Sequence, residues 1–572
     1  MKRLLLPALF FTLFMLSTFY SGRAQSWQWG KRGGGSVSTG IYGSTENVID
    51  IATDKWGNLY VLANVFGYSP DIDGHAKTGY GYQNISIASF KCDGTYRWSK
   101  VIGSLSADNA AQSIKADTLG GVYIAGYMQV IHGVGPAYID SDTLITETNK
   151  SLFILKYDTS GAYKWIRMPQ SDTVSTGAIV TTVPIDMDAD KAGNTALLCM
   201  LPPGAYVGGI YIVTSPGLYL MKYDRNGKFI TGHSMQITYS VPNVLQNIHM
   251  TWDAKRDLYY IGGTHFPSGS SVYKFGATKV SYCLYLGAFD NAGINKWTKQ
   301  NNDSAGYGGV ANRPLVDPQG YIYITGATAP GYTFNGATFH NSFGLSSVAS
   351  PFLIKLDSNG DNIWATNAST DAASEGSSVA LFGDTVAVIG DYPGRFSWDS
   401  YTRNTSGYHI FIATINAHSG LVIGVDTLAG GDAYPTSLGV DNYGNYYAGG
   451  QFQSNIIVAS ENLHSSGGET DFFIAKFGRP NCEVDSSTSI KSFPSLNEVV
   501  IFPIPMEDNI TIEGLHGITL YKIFDLTGRQ VCTGLISNNK ETIYLDRLHA
   551  GTYLLQLASA DGGRLYKTLV KK

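Results

Sequence analysis

Two patterns of alternating apolar and polar positions recur along the chain, out of phase with each other. The first is an apolar strand, a tight turn and a second strand: "LFILKYDTSGAYKW" (152–165), "LYLMKYDRNGKFI" (218–230), "LYLGAFDNAGINKW" (284–297), "PFLIKLDSNGDNIW" (351–364), "IFIATINAHSGLVI" (410–423) and the more divergent "ISIASFKCDGTYRW" (85–98). A further copy, "DFFIAKFGRPN" (471–481), stops after its first strand. The second pattern opens on Asp with Gly three later: "DKWGNLYVLA" (54–63), "DTLGGVYIAG" (117–126), "DKAGNTALLC" (190–199), "DPQGYIYITG" (317–326) and "DNYGNYYAGG" (441–450). Variant copies lie at 253–262, with Arg256 for Gly, and at 381–390, with Leu381 for Asp. Asp accepts backbone N–H groups across a turn, and Gly supplies the positive φ that closes it. The period-two alternation that follows each turn predicts a strand.

The second pattern repeats about every 64 residues, so each period holds two hairpins. Four antiparallel strands per period predict propeller blades, and seven periods predict an all-β, seven-bladed β-propeller over residues 25–477. A linear solenoid is the alternative, and the chain ends argue against it. The segment "SWQWGKRGGG" (26–35) resembles "RWSKVIGS" (97–104), the fourth strand of the first unit, yet no strands one to three precede it. The expectation is that this N-terminal strand completes the three-stranded seventh unit at 436–477. That pairing buries Trp27 or Trp29 and leaves no long sheet edge open. Together the two hairpin motifs resemble the bacterial β-propeller repeat family labelled SBBP, over about residues 27–477. The resemblance implies a fold rather than an activity.

The ends carry addresses. Lys2-Arg3, the apolar run 4–20 and the small residues Gly22 and Ala24 predict a signal peptide over 1–24, with cleavage between Ala24 and Gln25. Export to the periplasm follows from it. No Cys adjoins that point, which argues against a lipid anchor, and no other apolar run is long enough to span a bilayer. Residues 478–498 are polar and Ser-rich, as a linker is. Residues 499–572 hold short strands that predict a small Ig-like β-sandwich. Phe502-Pro503-Ile504-Pro505, Asp525 with Gly528-Arg529, Ala550-Gly551 with Tyr553, and the basic last residue resemble the C-terminal sorting domain of type IX secretion substrates in Bacteroidota. Ile504 stands where the usual Y-P-N-P opening has Asn. The resemblance implies that the type IX machinery recognises this domain at the outer membrane. It also implies removal of the domain as the protein is secreted or attached to the cell surface.

Composition agrees with an extracellular, turn-rich β protein: 15% charged residues, 66 Gly and 37 Tyr. A net charge of −5 gives no electrostatic basis for binding nucleic acid. The five Cys are odd in number and form no C-x-x-C. Four residues before each turn Asp or its equivalent stand Asp50, Ser113, Asp186, His249, Arg313, Ser377 and Ser437. Period-two alternation puts them on one face, so a polar ring is expected at one level of a central channel. "DMDAD" (186–190) has the flavour of a calcium loop, but Gly193 comes too late and Leu197 stands where Glu is needed. No cofactor is expected. No GxSxG, HExxH or P-loop is present. The expected function is an exported binding or surface protein with an extracellular protein or glycan ligand; the alternative is a secreted glycan hydrolase or lyase. Loops of about twenty residues between second and third strands carry Tyr80, Tyr82, Phe334, Phe339, Phe396, Trp398 and Tyr401. They fit a binding face and a structural edge equally.

Overall fold

The computed structural model describes residues 25–35, 46–105, 109–130, 136–140, 143–145, 149–169, 183–239, 247–265, 273–302, 309–466, 470–480, 482, 499–515, 519–525, 529–559 and 564–572. The expected signal peptide, with Ala24, and most of the expected linker lie outside them. The described chain is all-β with no α-helix. It divides into two compact units, the first ending at Cys482 and the second beginning at Glu483.

In the first unit the Asp turns explain the repeat. Asp54 Oδ1 accepts the N–H groups of Trp56 and Asn58, while Oδ2 accepts the Tyr60 hydroxyl at 2.8 Å. Asp117 with Tyr123 and Asp441 with Tyr447 repeat the hydroxyl contact. One carboxylate thus satisfies donors two, four and six residues on, which accounts for D-x-x-G-x-x-Y. In the fourth copy the positive φ moves from the Gly position to Asp257, and Arg256 pairs with Asp253 at 2.8 Å. In the sixth, Phe382 pairs with Thr385, so the turn shrinks to Gly383 and Asp384.

The Trp that ends the other motif joins neighbouring sheets. Trp98 Nε1 donates to Thr159 O at 3.0 Å, Trp165 to Arg225 O at 3.3 Å, Trp297 to Ser358 O at 3.0 Å and Trp364 to Ala417 O at 3.2 Å. Each acceptor is the second residue of the next sheet's turn. The turn Gly lies under the indole as well: a Cβ on Gly161, whose φ is +82°, would meet the Trp98 ring at 2.7 Å. Gly serves there both for its backbone angle and for the close approach.

Among the described residues, seven antiparallel sheets, each holding a run of four strands, follow in chain order. Their first strands are Asn47–Thr53, Ala110–Ala116, Val183–Ala189, Ile248–Asp253, Gly309–Ala311 with Leu315–Val316, Glu375–Phe382 and Ala433–Val440. Each is hydrogen-bonded to the next. The bonds are Ile114 N–H to Asp50, Ser113 Oγ to Met187 O, Met250 N–H to Asp186, Thr251 Oγ1 to Pro314 O, Asn312 Nδ2 to Gly376 O and Leu438 N–H to Ser378 Oγ. Thr53 Oγ1 then donates to Val440 O at 2.7 Å, joining the seventh to the first. The seventh sheet takes its fourth strand from the N-terminus: Ser26–Gly34 runs antiparallel to Thr470–Gly478, from Ser26 opposite Gly478 to Gly33 opposite Phe472. Trp27 and Trp29 are buried in that seam. Trp29 Nε1 donates to Cys92 O at 2.9 Å, the same contact the other Trp residues make.

The long loops are structural edges. The hairpin of Asp71–Ile72 and His75–Ala76 pairs with Ser26–Gly34, that of Ala137–Ile139 pairs with Tyr96–Ser104, and that of Asn455–Val458 pairs with Val422–Gly430. Phe334, Phe339, Phe396 and Trp398 are buried, so these aromatics do not form an exposed binding face. Among the described residues the second unit has two antiparallel sheets over one core that includes Ile510, Ile523, Ile543, Leu555 and Leu569. Arg529 closes a turn by donating through its backbone N–H and Nε to Asp525, both at 3.1 Å.

Candidate functional site

The first strands enclose a cavity of about 650 Å3. It is lined mostly by short polar groups, among them Asn47, Gln112, Asn247, Asn312, Ser377 and Ser437, with His249 and Arg313. A β-bulge recurs at this level, with register shifts at 48/50, 111/113, 184/186, 376/378 and 435/437. A bulge bends a strand and re-aims a side chain, which turns this level of the strands inward.

Five of the seven residues expected in the ring line the cavity: Asp50, His249, Arg313, Ser377 and Ser437. Ser113 and Asp186 are fully buried beside it. The sixth sheet differs in register at this level. Asp50 lies opposite Leu62 and Asp186 opposite Leu198; the residue in that register of the sixth sheet is Ser378, opposite Ile389. Ser378 Oγ accepts the Leu438 N–H as Asp50 accepts that of Ile114. Ser377 is the extra residue of the bulge, because the shortened turn shifts the count by one.

Arg313 organises the charges. Its guanidinium reaches from the fifth sheet to Asp186 of the third at 2.6 Å and Asp50 of the first at 3.2 Å. It spans the channel and donates to two sheets that are not its neighbours. Lys115 adds a contact of 2.8 Å to Asp50. Burial works against the Asp50 charge, but Lys115 and Arg313 overcome it and hold the carboxyl down to about 2. At Asp186 burial prevails over Arg313 and Lys115, and the carboxyl is pushed up to about 6. Burial and then Arg313 push His249 down to about 3, so its ring is neutral near pH 7; its Nδ1 lies 3.9 Å from Asp186. Arg313 is held well above its ordinary value: burial opposes its charge, and Asp186 and then Asp50 outweigh that.

Lys115 was missed in the sequence, although it lies two residues after Ser113 on the same strand face and period two could have found it. The carboxylates of "DMDAD" serve separate partners. Asp186 takes Arg313, Asp188 accepts the Trp252 N–H at 2.8 Å, and Asp190 closes its own turn. Among the described residues no three His, Cys, Asp or Glu side chains converge as metal ligands do. No helix there is long and apolar enough to cross a membrane.

The first unit is therefore an all-β, propeller-like arrangement around a polar cavity. Residues 500–572 match the family model described as the secretion system C-terminal sorting domain, as the C-terminal motifs led one to expect. That tail marks a protein secreted or displayed at the cell surface through type IX secretion. The search of curated proteins gave no match. Among solved structures the chain is similar to the Dos1 propeller at 8% identity and a TM-score of 0.35, covering 79% of this chain and 95% of that one. It is also similar to PorZ, a surface component of the type IX secretion system of Porphyromonas gingivalis, at 11% identity and a TM-score of 0.20, covering 92% and 81%. A europium-containing methanol dehydrogenase follows at 10% identity and a TM-score of 0.30, covering 80% and 93%.

Proposed function

We propose that this chain is an exported binding or surface-adhesion protein. Its first unit reads as a closed seven-bladed β-propeller of the SBBP type, and its second as an Ig-like sorting sandwich that is removed at the outer membrane. The observation that carries the reading is the sorting-domain match at residues 500–572, joined to a unit whose central charges neutralise one another. Arg313 and Lys115 are taken up by Asp50 and Asp186, so the cavity offers an extracellular ligand mainly uncharged amides and hydroxyls. A protein or a glycan presents matching groups.

The signal peptide reading, with cleavage between Ala24 and Gln25, supplies the first export step. In a host competent for type IX secretion, the full chain is expected at the cell surface or in the medium. The chain lacking 483–572 is expected to stay in the periplasm. Arrival of the truncated chain outside the cell would overturn the assignment.

A glycan-active enzyme is the second reading, favoured by the carboxyl of Asp186, raised to about 6 beside a neutral His249. Against it, that carboxyl is fully buried and already accepts the N–H groups of Met187 and Met250 as well as Arg313. Polysaccharide turnover that disappears in Asp186→Asn would establish the enzyme in place of the binding protein.

A further inference from the structure

All five Cys are free thiols in this structure. Two of them meet at the seam between the seventh and first sheets. Cys92 is the second residue of the turn between Gln83–Phe90 and Tyr96–Ser104, the position at which each preceding sheet is fastened. The same turn position holds Thr159, Arg225, Asn291, Ser358 and Ala417 in the second to sixth sheets; only the seam carries a thiol. Cys482 lies just past Thr470–Gly478. The chain is led there by Arg479, whose N–H donates to Asn445 Oδ1 at 3.0 Å, while Asn445 Nδ2 lies 3.7 Å from Cys92 Sγ. The Cys482 thiol is near enough to Cys92 for the two to influence each other's ionisation.

The lysine of the repeat completes the setting. Lys156 and Lys355 donate to backbone carbonyls of the next sheet's turn, at Arg225 and Ala417. At the seam Lys476, fully buried, donates to Cys92 Sγ at 3.1 Å instead.

We propose that Cys92 and Cys482 form a disulfide after export, which locks the seventh sheet covalently to the first at the point where the chain leaves for its sorting tail. The proposal rests on the exported reading for its oxidising surroundings. Cys482 is half-buried and Cys92 buried, so a disulfide oxidant RSSR meets Cys482 first. The Cys482 thiolate attacks one sulfur of RSSR, forms a mixed disulfide and expels RS−. The Cys92 sulfur, with the Lys476 ammonium beside it, then attacks Cys482 Sγ and expels the second RS−. Two protein thiols become one disulfide, one RSSR becomes two RSH, and the two thiol protons pass to those leaving groups. Burial and then the neighbouring Cys92 push the Cys482 thiol up to about 12, so the first exchange is slow at neutral pH and quickens as pH rises.

The test uses the purified full chain with oxidised glutathione, so that it does not depend on the export route. Peptide mapping without reductant is expected to give one linked pair holding Cys92 and Cys482, which separates on reduction. Oxidation is expected to raise the Tm of the first unit by about 5 °C, a rise abolished by Cys482→Ser at its half-buried position. The double substitution with Cys92→Ser is expected to respond to oxidant no more than the single one. If Cys482 remains alkylatable after oxidation, or if either thiol links to Cys199, Cys283 or Cys532, the proposal is overturned. Mapping the same pair in protein recovered from the outside of a type IX host separates a failure of the bond from a failure of export.

Discussion

Arg313 shows how much one side chain can hold together in a cavity of this kind. A guanidinium has five donors in a fixed plane, so a single residue can serve carboxylates from two other sheets at once. Replacing it leaves Asp186 with no cation in contact, and breaking a buried pair by removing one partner costs about 3–5 kcal/mol. Arg313→Leu is therefore expected to lower stability by that order in urea melts. The loss should be larger at pH 8 than at pH 5. Without the guanidinium the Asp186 pKa rises further above 6, so at pH 5 the carboxyl is protonated and at pH 8 its ionisation opposes folding. Adding Asp186→Asn to Arg313→Leu should recover part of the deficit at pH 8. An equal loss at both pH values would show that the pair is not the main contribution of Arg313.

Among the elements, the strand Ser26–Gly34 has the largest consequence for its length. It provides the outer ladder of the seventh sheet, two buried indoles and the Arg32 contact with Asp471 at 2.5 Å. Each buried Trp contributes about 2–3 kcal/mol, and the net value of each ladder bond is about 1 kcal/mol. Deleting residues 25–33 is expected to cost at least about 5 kcal/mol and to expose the edge of Thr470–Gly478 to pairing with other chains. Differential scanning calorimetry and light scattering should find lower Tm and more aggregation for this deletion than for removal of 483–572. The reverse order would mean that the seam is not where the first unit is held shut.

On the scale of the whole molecule, buried carboxyls set the pH dependence. Burial raises Glu46 to about 8, Asp391 to about 7 and Asp186 to about 6, from ordinary values of 4.5 for Glu and 3.8 for Asp. A carboxyl raised on folding contributes stability below its unfolded value, and that contribution is lost as pH rises through the folded one. Asp50 and Asp158 are each lowered to about 2 against the opposing effect of burial, Asp50 chiefly by Lys115 and Asp158 chiefly by its hydrogen bond from Lys164. Their contribution is present above 3.8 and is lost as pH falls toward 2. Stability is therefore expected to peak between about pH 4 and 6, with Tm higher at pH 5 than at pH 8.5. Glu46→Gln should flatten the alkaline limb; a Tm that climbs from pH 5 to 8.5 would contradict this account.

The repeat, the strand alternation and the sorting tail were legible in the sequence because each depends on residues close together along the chain. An Asp turn is complete within seven residues, and a period-two strand declares its two faces by itself. The unpaired N-terminal strand was legible too, because two matched defects in a periodic pattern point at each other. The use of the repeated Trp was not legible, since its acceptor lies about sixty residues away on the next sheet. Nor was the position of Ser378, which depends on a turn two residues long where the other copies predict a longer one. The partners of Arg313 and the meeting of Cys92 with Cys482 lay furthest from view. The propeller-like arrangement brings side chains of the first, third and fifth sheets to one cavity and the two ends of the first unit to one seam, and no local pattern of residues records which groups will face each other there.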